Sequence, residues 1–216
     1  REIRKIEELG VVFRCNTTIG HDLTVDQMFD RGFDAIFMGT GTAKPKKLQI
    51  PGGHLRGVRQ AIYFLRRVSL YNEGNLDRNE VPVGNGDRVF VIGCGNTAMD
   101  AARSAVRLGA EKVTVVYHRT INDMSALRSE YDEAVSEGVE FEWQSSIVDI
   151  HDDAGDITDV VIECNGERHE EDADVVIMAV GSQPASRIVS TTEGIDVDDR
   201  GYVLTRDMPY GMTTRK

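Results

Sequence analysis

The stretch RVFVIGCGNTAMDAARSAVRLGAEKVTVVYHRT, residues 88–120, constrains this chain more than any other. Its opening, RVFVIG, is a continuous apolar run of the kind found in strands buried on both faces. It leads directly into Gly93-Cys94-Gly95-Asn96-Thr97-Ala98, a G-x-G-x-x-A pattern. Gly93 permits a tight turn, Gly95 leaves the backbone open to close approach, and Ala98 is small enough for a helix to pack on the strand. The following segment, 97–108, carries Ala98, Ala101, Ala102 and Ala105 at i, i+3, i+4 and i+7, a small-residue face suited to packing on a sheet. Gly109 ends that helix, and KVTVVY is the returning strand. A strand, glycine turn, helix and strand in this order is the context in which the pattern binds the pyrophosphate of a dinucleotide, at the free N–H groups of the helix N-terminus. The alternative is a turn that serves structure alone.

The end of the second strand bears on which dinucleotide is bound. A site that prefers NAD usually places Asp or Glu there, to hold the ribose 2′-hydroxyl. This chain has His118-Arg119-Thr120 instead. An arginine can meet a 2′-phosphate with paired, charge-assisted hydrogen bonds, and a protonated histidine beside it adds charge. Arg103, Arg107, Lys112 and Arg128 are further basic residues in this part of an acidic chain. The expectation is NADPH over NADH, with a merely solvated basic turn as the alternative.

Elsewhere the chain alternates helical and strand patterns, which predicts an α/β fold with a largely parallel sheet. Residues 3–9 read as a helix closed by Gly10, 11–16 (VVFRCN) as a strand, and 24–32 as a helix capped by Thr24. Residues 33–41 (FDAIFMGTG) read as a strand entering a glycine turn, and 57–72 as a helix with Ile62, Leu65 and Leu70 among its apolar positions. Residues 125–138 read as a helix with Leu127, Tyr131, Ala134 and Val135 on one face, and Gly138 closing it. VEFEWQ, IVDI and DVVIEC read as strands, ERHEEDADVVIMAVG as a hairpin arm and a buried strand, and YVLT as a last short strand.

The 216 residues suffice for a real core in one large or two small domains. A formal net charge of −11 argues against nonspecific nucleic-acid binding. No apolar run approaches the ~18 residues of a membrane span, and the first residues lack a signal-peptide pattern, so a cytoplasmic protein is expected. Cys15, Cys94 and Cys164 have no C-x-x-C spacing, which leaves no zinc, Fe–S or dithiol motif; Cys94 reads as a small filler beside the ligand. His21, His54, His151 and His169 show no metal-ligand spacing and read as surface or loop residues, and no metal is expected. DDAGD reads as a hairpin turn, HEEDAD as a solvated strand edge, Trp143 and Tyr131 as packing residues, and Asp100 as a solvated first-turn acid.

Residues 91–120 resemble the NADPH-binding segment of the glutamate synthase small-subunit (beta chain) family, whose members are FAD- and NADPH-dependent oxidoreductases. The likeness extends over nearly the whole chain. GFDAIFMGTGTAKPKKLQIPG resembles the family's first crossing from its FAD domain to its NADPH domain, DMSALRSEYDEAVSEGVEF the segment after the second nucleotide strand, and VVIMAVGSQP the return crossing. GNTAMD is the most specific part. The one departure is His118 before Arg119, where the family often has two arginines.

The resemblance implies a Rossmann-like NAD(P)H-binding domain, residues 51–185. It would be flanked by a partial FAD-domain segment at 1–50 and a truncated return segment at 186–216. It also implies hydride transfer from NADPH to FAD and onward passage of electrons to an Fe–S or large catalytic subunit. The FAD domain of the same chain is then a partner, and this fragment alone is inactive. Cofactor-binding residues on this reading are Gly93, Gly95, Asn96, Thr97, Ala98, His118 and Arg119. Gly181, Ser182 and Gln183 fall on the nicotinamide side, and Gly39, Thr40 and Gly41 face the flavin. No residue is assigned a catalytic proton transfer, because hydride transfer between two cofactors needs positioning and exclusion of water. Two other readings stay open: an NAD(P)H-binding subunit of a ferredoxin:NADP oxidoreductase, and a nucleotide-binding module without redox activity.

Overall fold

The computed structural model describes residues 2–42, 44–185, 187–190 and 192–204. In chain order the elements are α1 (Glu2–Glu8), α2 (Val25–Asp30), β1 (Lys44–Pro45), β2 (Val58–Gln60), α3 (Ala61–Asn72), β3 (Arg88–Ile92), α4 (Asn96–Arg107) and β4 (Lys112–Tyr117). There follow α5 (Arg128–Ser136), β5 (Glu140–Trp143), β6 (Ser145–Asp153), β7 (Asp156–Cys164), β8 (Glu167–Asp172), β9 (Val175–Met178), β10 (Ser182–Gln183) and α6 (Arg187–Ser190).

The chain divides into two compact units. Residues 45–182 form one, and the described residues of 1–44 and 183–204 belong to the other. The larger unit is built on a five-stranded sheet of order β2-β9-β3-β4-β5. Every adjacent pair in it is parallel. Strand β3 is central, and its burial on both faces explains why residues 89–92 are apolar without alternation. One face packs against α3, α4 and α5 through Phe64, Val68, Met99 and Ala134, together with the alanine stripe, which is wholly buried. The other face carries Phe90, Ile92, Val116 and Val176, and is covered by Ile147, Ile150, Val160 and Ile162 of an antiparallel meander, β6-β7-β8. The result is helices, sheet and meander in three layers: a Rossmann-like α/β fold with an inserted β-meander.

Salt bridges fasten α5 to α4. Arg103 reaches Glu130 at 3.1 Å, Glu133 at 2.6 Å and Glu137 at 2.8 Å, and Arg107 reaches Glu137 at 2.6 Å. The Arg107 guanidinium, with Arg103 beside it, holds the Glu137 carboxyl below the usual glutamate range. Tyr131, Phe141 and Trp143 form an aromatic cluster, with Phe141 and Trp143 stacked at 5.4 Å. The Ala154-Gly155 turn joins β6 to β7 with positive φ at both residues (53° and 91°), which suits a tight hairpin.

Several expectations are corrected. Residues 58–60 are not the start of a helix: they pair with β9 as an edge strand, and the helix begins at Ala61. Of the apolar residues expected on α3, Leu65 packs against the core but Ile62 is exposed, and Phe64 and Val68 are the residues fully buried there. On α5 only Ala134 is fully buried, while Leu127 precedes the helix and is exposed, as is Val135. His151 and His169 lie on β6 and β8 and not in loops.

In the smaller unit, α2 begins as expected at Thr24. The Thr24 side chain accepts from the Gln27 N–H at 3.2 Å, while Gln27 Oε1 accepts from the Thr24 N–H at 3.0 Å. Residues 11–16 and 33–41 form no strand, because none of the described residues offers them a paired neighbour. Val203 makes only an isolated antiparallel bridge to Val197, and Thr205 of the expected last strand lies outside the described residues. Among the described residues, no helix is long and apolar enough to cross a membrane.

Candidate dinucleotide site

The glycine turn sits where β3 meets its two neighbours. Gly93 donates its N–H to the Val116 carbonyl at 3.0 Å, and Ala179, just past β9, donates to the Ile92 carbonyl at 2.8 Å. Gly93 has φ +119°, and a Cβ placed on it would come within 2.5 Å of the Ala179 carbonyl oxygen. Only glycine meets both conditions. This is also the point where the strand order reverses, β4 lying on one side of β3 and β9 on the other. Open α/β sheets bind ligands at such a switch point, beyond the carboxyl ends of the strands.

A cleft of about 650 Å³ opens there. Gly93, Gly95 and Thr97 line it with His118, Gly181 and Ser182, so six of the sequence-predicted residues converge. Gly95 is the N-cap of α4, and no side chain caps the helix. The Ala98 and Met99 N–H groups turn back to the Gly95 carbonyl, whereas those of Asn96 and Thr97 have no backbone partner among the described residues. Two free donors and the positive end of a helix dipole therefore meet at the cleft, an arrangement that receives phosphate oxygens.

The other predicted residues stand differently. Ala98 is wholly buried beneath the turn as a packing residue. The Asn96 side-chain oxygen accepts from the Leu127 N–H at 2.8 Å, so that side chain braces the 123–127 loop and leaves its backbone N–H and its side-chain amide N–H groups for a ligand. The same loop is tied to the turn by Ser125 and Ala126, whose N–H groups donate to the Cys94 carbonyl at 3.2 and 3.1 Å. Arg119 is exposed beside the rim and is not part of the lining. Gln183, Gly39, Thr40 and Gly41 belong to the smaller unit. Cys94 is buried, and burial pushes its thiol up to about 11, so it is an inert thiol at neutral pH.

Sequence reasoning missed part of the lining. The Tyr117 and His118 rings meet in a T-shaped pair with centroids 5.0 Å apart, and Ser125, Ser146, Gln60, Ile62 and Ile50 are among the other lining residues. Ser125 lies in the DMSAL run that carried the resemblance, but its docking against Cys94 depends on tertiary folding. The supporting basic residues also stand differently from expectation. Arg103, Arg107, Lys112 and Arg128 are engaged by acids, with Lys112 on Glu171 at 2.8 Å and Arg128 on Asp132 at 2.9 Å. His118 and Arg119 make no ion pair among the described residues. Asp123 is nonetheless near both, its carboxyl held low chiefly by the Thr120 hydroxyl, with the charges of Arg119 and His118 adding to the effect.

Residues 3–212 match the family of pyridine nucleotide-disulphide oxidoreductases. The chain belongs to that family. Among its relatives, the glutamate synthase [NADPH] small chain of Halomonas elongata is 34% identical over 91% of the chain and 45% of the relative. The NADPH-Fe(3+) oxidoreductase subunit beta of Geobacter sulfurreducens is 31% identical over 97% of the chain and 33% of the relative. The chain thus spans less than half the length of these relatives. The crystal structure of T. acidophilum thioredoxin reductase shares the fold, with a TM-score of 0.60 at 19% identity over 77% of this chain and 50% of that one. The three cysteines of the chain, Cys15, Cys94 and Cys164, form no disulfide.

Proposed function

We propose that residues 45–182 bind NADPH in the cleft above the α4 N-terminus, and that the whole protein is an NADPH-dependent flavin oxidoreductase similar to the glutamate synthase small chain. The observation that carries this reading is the floor of the cleft: a glycine turn that excludes any Cβ at Gly93, followed by a helix whose first N–H groups are uncapped. That floor fits a pyrophosphate. Its backbone donors are fixed by β3, β4 and β9 before any ligand arrives, so little ordering is required on binding.

When bound, NADPH would supply a hydride and a flavin would accept it. This chain's residues bind and orient. The Gly95–Thr97 backbone receives the diphosphate, and His118 with Arg119 meets the 2′-phosphate. Gly181 and Ser182 edge the nicotinamide side, and Ile50, Ile62 and Met178 keep water from it. The segments 1–50 and 186–216, with Gly39, Thr40, Gly41 and Gln183, are assigned to a flavin domain, and 51–185 to the nicotinamide domain. The electrons then pass to an Fe–S partner. The likeness to an NADPH-Fe(3+) oxidoreductase subunit favours, as a second reading, a reductase serving an acceptor other than glutamate synthase.

Calorimetric titration with NADPH and with NADH tests this reading. NADPH binds several-fold tighter than NADH, and Arg119→Ala removes the difference. Equal affinities in the unaltered chain would refute the 2′-phosphate assignment, and binding of neither would refute the site.

A further inference from the structure

The sheet and its meander meet through apolar side chains except at one edge, where β8 lies over β4 and β5. Strand register fixes which residues face each other there. Thr114 pairs with Glu140 and Val116 with Glu142, so both glutamates share the face of β4 that carries Lys112 and Thr114. On the meander, His169 pairs with Ile162 and Glu171 with Val160. Both isoleucine and valine are core residues, so His169 and Glu171 turn toward the sheet.

One donor atom from each of Glu142, His169 and Glu171 lies within 4.8 Å of the other two. His169 Nε2 is 3.6 Å from Glu171 Oε1 and 3.9 Å from Glu142 Oε2. Donors on a tetrahedral zinc, at bond lengths of ~2.0–2.2 Å, stand roughly 3.4 Å apart, so small side-chain rotations complete the shell. Lys112 Nζ occupies the other oxygen of Glu171, Oε2, at 2.8 Å and leaves Oε1 directed at the imidazole. This is the outer-sphere support that orients a metal-binding carboxylate. Glu140, Glu142 and Glu171 outnumber the single ammonium of Lys112, so the cluster has an excess of negative charge.

Two further observations point to a ligand. The Thr114 hydroxyl, 1% exposed, has no hydrogen-bond partner among the described residues, which leaves an unsatisfied oxygen on the sheet face that Glu140 and Glu142 share. The His169 side chain is 48% exposed, which leaves its imidazole open to an ion from solvent.

We propose that Glu142, His169 and Glu171 form a site for one divalent transition-metal ion of the zinc class. An imidazole with two carboxylates selects such an ion over magnesium or calcium, which take oxygen ligands. Its ligands come from β5 and β8, so the ion joins the sheet's edge strand to the meander, and none of the three lines the dinucleotide cleft.

Titration of the chelator-treated chain with zinc chloride in a non-coordinating buffer at neutral pH tests the proposal. One equivalent binds, millimolar magnesium does not displace it, and zinc raises the melting temperature. Glu142→Gln and His169→Gln each weaken binding roughly 10-fold or more. His151→Gln, at the separate His151–Asp159 pair on the meander, leaves it unchanged. Cobalt(II) added to the unaltered chain gives the visible absorption of a four- or five-coordinate site, a readout independent of how the variants fold. Unchanged zinc affinity in His169→Gln, or an aqueous six-coordinate cobalt spectrum, would overturn it.

Discussion

The two units of this chain respond oppositely to the same kind of sequence. In residues 45–182, apolar runs such as VFVI and VVIM become strands whose side chains are almost entirely inaccessible. In the smaller unit, runs that look equally apolar form no strand among the described residues, and Phe37 is 95% and Leu9 84% exposed. A strand is a property of its neighbours more than of its own residues, because its backbone groups must be paired and its faces covered. Residues 88–92 have both neighbours within the unit, whereas residues 11–16 and 33–41 have none that the structure describes.

Truncation of one phenylalanine in each unit gives the largest contrast. Phe64→Ala, at a fully buried position, lowers stability by about 3–5 kcal/mol. Phe37→Ala changes it by no more than about 0.5 kcal/mol. Chemical denaturation of both variants measures the difference, and equal losses would end the distinction between the units. Glycine positions sharpen it further. Gly93→Ala meets both a positive φ and the Ala179 carbonyl, and costs roughly 2–4 kcal/mol together with dinucleotide binding. Gly41→Ala, with φ +60° and open space around it, costs only about 1 kcal/mol.

The acid limb of the stability curve reports on the larger unit. Glu137 is held below its ordinary value by Arg107 and Arg103, so its contribution is present above the ordinary glutamate pKa. It is lost as pH falls through the lowered one. Glu137→Gln therefore flattens the loss of stability below about pH 4.5, and an unchanged slope would show that this network carries none of it. The smallest effect concerns the basic turn. Asp123→Asn removes a negative charge near His118 and Arg119, and tightens NADPH binding about 2–5-fold at low salt with less effect on NADH. Parallel titrations read the ratio, and a tightening equal for both nucleotides would place Asp123 outside the 2′-phosphate's reach.

Much of the larger unit was legible in advance. The 88–120 stretch announces its strands, turn and helix because local pattern and tertiary role coincide there, and the alanine face of α4 reads directly as close packing. Residues 58–60 were illegible because Val-Arg-Gln continues smoothly into a helical pattern, and only pairing with β9 makes it a strand. The partners of Arg103 and Arg107 were hidden for a similar reason: their acids lie 27–34 residues away on α5 and at its C-cap, and only the packing of two helices brings them together. The same holds for Glu142 and His169, which no spacing rule connects.

The central claim is that dinucleotide phosphate rests on the backbone between Gly95 and Thr97. Amide chemical-shift mapping of the isotope-labelled chain during NADPH titration tests it most directly. The account predicts the largest changes at Gly95, Asn96 and Thr97, with a second group at His118 to Thr120 that NADH does not reproduce. Saturable binding with those amides unmoved would contradict it.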